Sequence, residues 1–166
     1  MQLGKALGAS VLAVAGSAEK LDFVRAAGAD HAINYKTADL TREIAELTHG
    51  HGADLIYDTV GGDLAATSIA SLARNGRIAI VGMASGASVE LSFLDMLLRN
   101  YSAVGVLAAG YTPEQDAAAW AGLTDLAERR AITAPVGTVF PFADVPAMIG
   151  QQGSPPPGKS AVRVSG

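Results

Sequence analysis

Short apolar runs alternate along this chain with stretches of helical periodicity. Residues 2–9 read as the last turns of a helix, with Leu3, Ala6 and Leu7 in an apolar stripe and Gly8 as its stop. Residues 11–15 (VLAVA) are uninterrupted by polar side chains, which predicts a strand of the fully buried kind. Ser17 then caps a helix that runs through Ala27 and ends at Gly28. A second short strand is expected over residues 32–35, and residues 40–48 place Leu40, Ile44 and Leu47 on one helical face before the loop HGHG closes the segment. ADLIYD (53–58) is a third strand, GGDLAATSIASLA (61–73) a helix, Asn75-Gly76 a turn, and RIAIVG (77–82) a fourth strand.

After Gly82 the rhythm loosens. MASGASVELS is a loop, Phe93–Arg99 a short helix, SAVGVL (102–107) another apolar strand, and residues 113–130 a long helix with Pro113 near its start. Residues 136–140 and 161–164 read as strands and 144–149 as a short helix. GSPPPGK (153–159) is a stiff loop whose three prolines rule out a helix.

This order predicts an α/β fold with a doubly wound, mostly parallel sheet, whose ligand crevice lies beyond the carboxyl ends of the strands. A dinucleotide site of this kind also needs a strand followed by a glycine-rich turn that meets the pyrophosphate at a helix N-terminus. No G-x-G-x-x-G stands in such a context, because Gly4 and Gly8 belong to the opening helix. The fold is therefore expected to be incomplete, with the first strand and its glycine-rich loop lying upstream of Met1.

Composition narrows the functions. A chain of 166 residues, 49% hydrophobic and 17% charged, suits one globular core. A formal charge of -4 and dispersed Lys and Arg argue against nucleic acid as a partner. The absence of cysteine excludes disulfides, a thiolate zinc site and a cysteine nucleophile, and fits a cytoplasmic setting. No run approaches the roughly 18 apolar residues of a membrane span, so no membrane is expected as a partner.

The runs QLGKALGASVLAVAGSAEKLDFVRAAGADHAINY, GADLIYDTVGG, GRIAIVGMASG, NYSAVGV and GKSAVRV together resemble the cofactor-binding half of the zinc-independent quinone oxidoreductases. These belong to the medium-chain dehydrogenase/reductase superfamily. The resemblance implies a Rossmann-like partial dinucleotide-binding domain over residues 1–134. Residues 135–166 are then a return segment that packs on a substrate domain. It also implies NADP(H) as cofactor and hydride transfer from NADPH to a quinone or activated enone, without a metal.

Particular residues carry that implication. An NAD site usually offers an acidic residue at the end of its second strand, whereas an NADP site must receive a 2'-phosphate. Residues 11–15 are followed instead by Gly16 and Ser17. In the resembled family the phosphate clamp matches the Ser17 hydroxyl, the Lys20 charge and the Tyr35 phenol. The same three residues also read as a helix cap, a solvated face and packing. Thr59 and Val60 match positions beside the adenosine and nicotinamide ribose, and Gly61 lets the backbone come close. Gly82, Met83 and Ala84 fall near the nicotinamide, and Leu107 and Ala108 match positions that approach its carboxamide through backbone. Read plainly, these are strand-to-helix turns, with Asp63 as a helix cap and Asp58 bracing its loop. Where the family often places an Arg in its last loop, this chain has Ser154.

No catalytic residue is assignable, since His31, His49 and His51 lack the spacing of a metal pair or a triad. Residues 102–107, which begin at Ser102 and end at Leu107, form an apolar, charge-free strand. The resemblance makes it a homodimer edge. Two other readings compete: a methyltransferase-like domain, suggested by ADLIYD followed by LARNGRIAIVG, and a truncated, non-catalytic remnant or dimerisation module.

Overall fold

A computed structural model describes residues 1–150 and 157–164. Helices and strands alternate along it: α1 (Gln2–Ala6), β1 (Leu12–Ala15), α2 (Ala18–Ala26), β2 (His31–Asn34), α3 (Leu40–Leu47), β3 (Ala53–Asp58), α4 (Gly62–Ala70) and β4 (Leu72–Ile80). Then follow α5 (Phe93–Arg99), β5 (Ser102–Gly105), α6 (Pro113–Glu128), β6 (Val136–Pro141), α7 (Val145–Gly150) and β7 (Lys159–Arg163). The strands form three ladders, β1-β2, β3-β4-β5 and β6-β7. β4 runs parallel to both β3 and β5, and β6 runs parallel to β7. The chain divides into two compact units, Met1–Ala32 with Trp120–Gly166, and Ile33–Ala119.

The larger core belongs to the second unit. Ile69 of α4, Leu72 and Ile78 of β4, and Tyr101 are buried together, with Ile56, Val89, Leu91, Met96 and Ala103 packed against them. Ile78 sits in the middle strand of three and retains 1% of its exposure. Arg99 locks this core at one end. Its guanidinium pairs with Asp95 one turn earlier, donates to the carbonyls of Ile69, Ala70 and Leu72 where α4 ends, and lies 4.8 Å from the centre of the Tyr101 ring. Helix ends leave carbonyls without intrahelical partners, and a cation placed there answers both their hydrogen-bonding need and the helix dipole.

Side-chain caps set several helix starts as their sequences suggest. Ser17, Asp39 and Ser92 accept from the amides of Lys20, Arg42 and Asp95. Leu40 and Ile44 bury the expected face of α3, and Leu47 is half-buried.

Three expectations need correction. β1 is not fully buried: Leu12 and Ala13 are half-buried and Val14 is 38% exposed. Among the described residues only β2 pairs with it, and a strand with one neighbour is covered less than one inside a sheet. The helix expected over residues 2–9 stops at Ala6, with Leu7, 80% exposed, as its C-cap and no residue of the helix buried. Finally, α4 stops at Ala70, and Leu72 and Ala73, expected in the helix, are buried in β4. The turn expected at Asn75-Gly76, with Asn75 at φ +64, falls inside that longer strand, where the register with β3 shifts between Leu72 and Arg77.

In the first unit Asp30 is the clip. Its carboxylate accepts from Lys5 Nζ at 2.7 and 2.8 Å and from the Val11 amide at 2.7 Å. The Lys5 bond, followed by the Val11 bond, holds the Asp30 carboxyl below its usual 3.8. A carboxyl with a lowered folded pKa stabilises the folded state fully above its unfolded value, and loses that contribution as pH falls through the folded one. Acid titration monitored by circular dichroism should therefore show a loss of stability below pH 3.8 that is shallower in Asp30→Asn. Equal acid slopes in the two proteins would contradict this role.

Candidate functional site

The strongest site geometry lies in the second unit, at the carboxyl ends of β3 and β4. Parallel pairing sets Asp58 beside Ile80, so the two loops that follow leave the sheet side by side. They stay together: the amide of Val81 donates to the Asp58 carbonyl at 2.8 Å, that of Ala84 to Thr59 at 3.5 Å, and that of Ser85 to Val60 at 2.7 Å. A bridge between Gly61 and Gly86 continues the run. Two glycines permit this approach. Gly61 has φ +71, and a Cβ there would overlap the Gly86 carbonyl oxygen. A Cβ on Gly82 would stand 2.7 Å from the Thr59 carbonyl oxygen. The glycines quoted in YDTVGG and VGMAS thus serve backbone against backbone.

The loops are also braced from inside. The Asp58 side chain is buried, and accepts from the amides of Val60 at 3.0 Å and Gly61 at 3.0 and 3.3 Å. The bracing role read from its position is what the structure shows. Asp63 lies in the first turn of α4, whose N-cap Gly61 offers no side-chain bond. Asp63 is therefore not the cap, although its charge suits the positive end of that helix.

Beside these loops a cavity of about 460 Å³ is lined by Tyr35, Val60, residues 62–64 and residues 85–88. That volume lies within the roughly 300–1,000 Å³ of small-molecule sites. Its wall mixes apolar Val60 and Leu64 with the phenol of Tyr35 and the hydroxyls of Ser85 and Ser88. Tyr35 and Val60 are the sequence candidates brought together here. Thr59, Met83 and Ala84 are exposed on the same pair of loops, Met83 by 66%. Sequence reasoning missed the contribution of Leu64 and residues 85–88 to the wall. The signal was the pair Gly82 and Gly86 in GMASG, whose second member bridges to Gly61 at the start of α4.

Leu107 and Ala108 stand apart from this pair of loops in sequence, after β5. Leu107 is 72% exposed, and the carbonyls of Leu107 and Ala108 accept from Gly110 and Tyr111 in a short 3-10 turn.

In the first unit Gly16 follows β1 and Ser17 caps α2, its oxygen accepting from the Lys20 amide at 3.4 Å. Capping uses a lone pair of that hydroxyl and leaves its O–H to donate elsewhere, so the two readings of Ser17 are compatible. Glu19 lies in the first turn of α2, where a negative charge is favoured by the helix dipole. Ser154 lies outside the described residues. Among those residues no three His, Cys, Asp or Glu side chains gather closely enough to hold a metal ion, and no helix is long and apolar enough to cross a membrane.

Residues 1–128 match the family described as zinc-binding dehydrogenase. Quinone oxidoreductase-like protein 2 of Bos taurus is 37% identical over 100 residues, which are 60% of this chain and 29% of that protein. A crystal structure of Escherichia coli quinone oxidoreductase complexed with NADPH superposes with a TM-score of 0.76 at 28% identity, covering 92% of this chain and 50% of that one. An NAD-dependent alcohol dehydrogenase reaches 0.80 at 30% identity over 99% of this chain and 46% of its own. The chain thus spans about half the length of these solved relatives, and the backbone alone does not separate NADP from NAD.

Proposed function

This chain belongs to the zinc-binding dehydrogenase family, and its relatives place it with the zinc-independent quinone oxidoreductases of the medium-chain superfamily; we propose that it binds NADP(H) for a reductase acting on a quinone or an activated enone. The observation that carries this reading is the braced pair of loops at the carboxyl ends of β3 and β4, with a ligand-sized cavity beside them. In parallel α/β sheets that end is where ligands are received. Bound nicotinamide would supply the hydride; this chain's residues bind and orient it.

The choice of NADP rests on the first unit. β1 runs into Gly16 and Ser17, with no carboxylate to accept from an adenosine ribose and to repel a phosphate. Ser17 supplies a donor and Lys20 a positive charge, the pairing a 2'-phosphate needs. Tyr35, on the wall of the second unit's cavity, adds a phenol. Thr59, Val60 and Gly61 are assigned to the ribose side, Gly82, Met83 and Ala84 to the nicotinamide side, and Leu107 and Ala108 to its carboxamide. No residue here is assigned a role in the chemistry. The parallel pair β6-β7 fits the return segment expected over residues 135–166. Membership of this family leaves the methyltransferase reading without support. A cytoplasmic setting is part of the same proposal.

Homodimerisation is proposed through β5. Among the described residues that strand pairs with β4 alone, and it presents Val104 39% exposed with no charge along its length. Such an edge invites pairing with a second copy.

Calorimetric titration with NADPH and NADH tests the cofactor. NADPH should bind more tightly, and Lys20→Ala should weaken NADPH about tenfold while leaving NADH unchanged, as expected for one charge-assisted contact. Equal losses for both, or preference for NADH, would overturn the NADP assignment; no binding of either would favour the non-catalytic module. For the dimer, sedimentation should give twice the chain mass and Val104→Lys should halve it. A wild-type monomer would refute the edge pairing.

A further inference from the structure

We infer that Asp58 is a positioning residue that makes the loops after β3 and β4 a single body, so that the cofactor meets one preformed platform. This is one residue engaging two loops through different groups. Its carboxylate takes the amides of Val60 and Gly61, fixing the first loop from within. Its own carbonyl takes the amide of Val81, the first residue of the second loop. The turn so fixed then presents the Val60 carbonyl to the Ser85 amide at 2.7 Å and Gly61 to Gly86.

The chemistry of the acceptor matters. Oδ1 receives Val60 at 3.0 Å and Gly61 at 3.3 Å, and Oδ2 receives Gly61 at 3.0 Å, so both carboxylate oxygens are engaged as acceptors. A carboxylate is acceptor-only on both oxygens, whereas a carboxamide turns one of them into a donor. Asp58→Asn keeps size and shape but sets an NH2 against the N–H of one of these amides. At a site only 7% exposed, solvent gives that pair little relief. Losing the turn geometry displaces the Val60 carbonyl, and the second loop loses its partner along with the first. The side chain is too buried to touch a cofactor itself, and it acts through the backbone it holds.

Hydrogen–deuterium exchange on the full chain, wild type against Asp58→Asn, reads this without any ligand. Exchange should rise about tenfold or more at residues 60–61 and at 84–85 together, while the ladder amides of Ile56 and Ala79 keep their protection. A rise confined to 60–61 would overturn the coupling, and a uniform rise across β3 and β4 would make Asp58 a general stabiliser only. The consequence for binding rests on the NADP(H) reading. Affinity should fall about tenfold for NADPH and NADH alike with their ratio unchanged, the opposite of the Lys20 pattern. Unchanged affinity in a variant with loosened loops would overturn the platform role. If the wild type binds neither nucleotide, the NADP(H) reading fails, while the exchange result still decides the coupling.

Discussion

Parallel pairing of β3 with β4 in register to Asp58 and Ile80 is the constraint on which the site depends. Because the two strands end at the same level and point the same way, the loops that follow start as neighbours. Each backbone group in them would otherwise need its own partner. The structure answers that need across the pair, the amides of Val81, Ala84 and Ser85 donating to the carbonyls of Asp58, Thr59 and Val60. Small residues are then required at the closest points, and a buried carboxylate is required where two adjacent amides point inward. Asp58, Gly61 and Gly82 are consequences of one geometric fact about the sheet.

The core of the second unit sits toward the opposite, amino ends of these strands, where Leu72 pairs with the first residue of β3 and Tyr101 directly precedes β5. Ile78 in the middle strand and Leu72 at its start pack with Ile69 near the end of α4, so β4 is the best buried strand of the second unit, while Leu55 and Tyr57 leave β3 more exposed. Arg99 ties the far end of α4 to Tyr101 and α5. Loops that must hold a ligand gain precision from a rigid support, and here the support is a three-stranded ladder with a helix clamped to it. The first unit differs in kind: among its described residues only Leu21 is buried, and polar clips such as Lys5 to Asp30 and Gln2 to Thr133 hold its segments.

What could be read from the sequence follows the range of the forces involved. Local signals were sufficient for α5, whose cap Ser92 and left-handed Asn100 bracket it at the expected residues, and for the serine start of α2. Burial was less legible, because it depends on partners distant in sequence. VLAVA is as apolar as any core strand yet leaves Val14 open, and Phe93 and Leu97 are exposed on a helix whose bounds were clear. Asn75-Gly76 carries the dipeptide of a turn, and only the pairing of Leu72 with Ala53 reveals that β4 begins before it. At the site, the glycines and Asp58 could be read as loop chemistry; that they hold two loops to each other could not, since neither loop contains the other's hydrogen-bonding pattern.

On the proposed reading, the paired loops are the surface on which the cofactor lies. The most direct test of that reading is the amide nitrogen–proton correlation spectrum of the labelled chain during addition of NADPH. The largest shifts are expected on residues 59–61 and 82–86, saturating together with one dissociation constant. Saturable shifts confined to other residues, with these two loops unmoved, would contradict it.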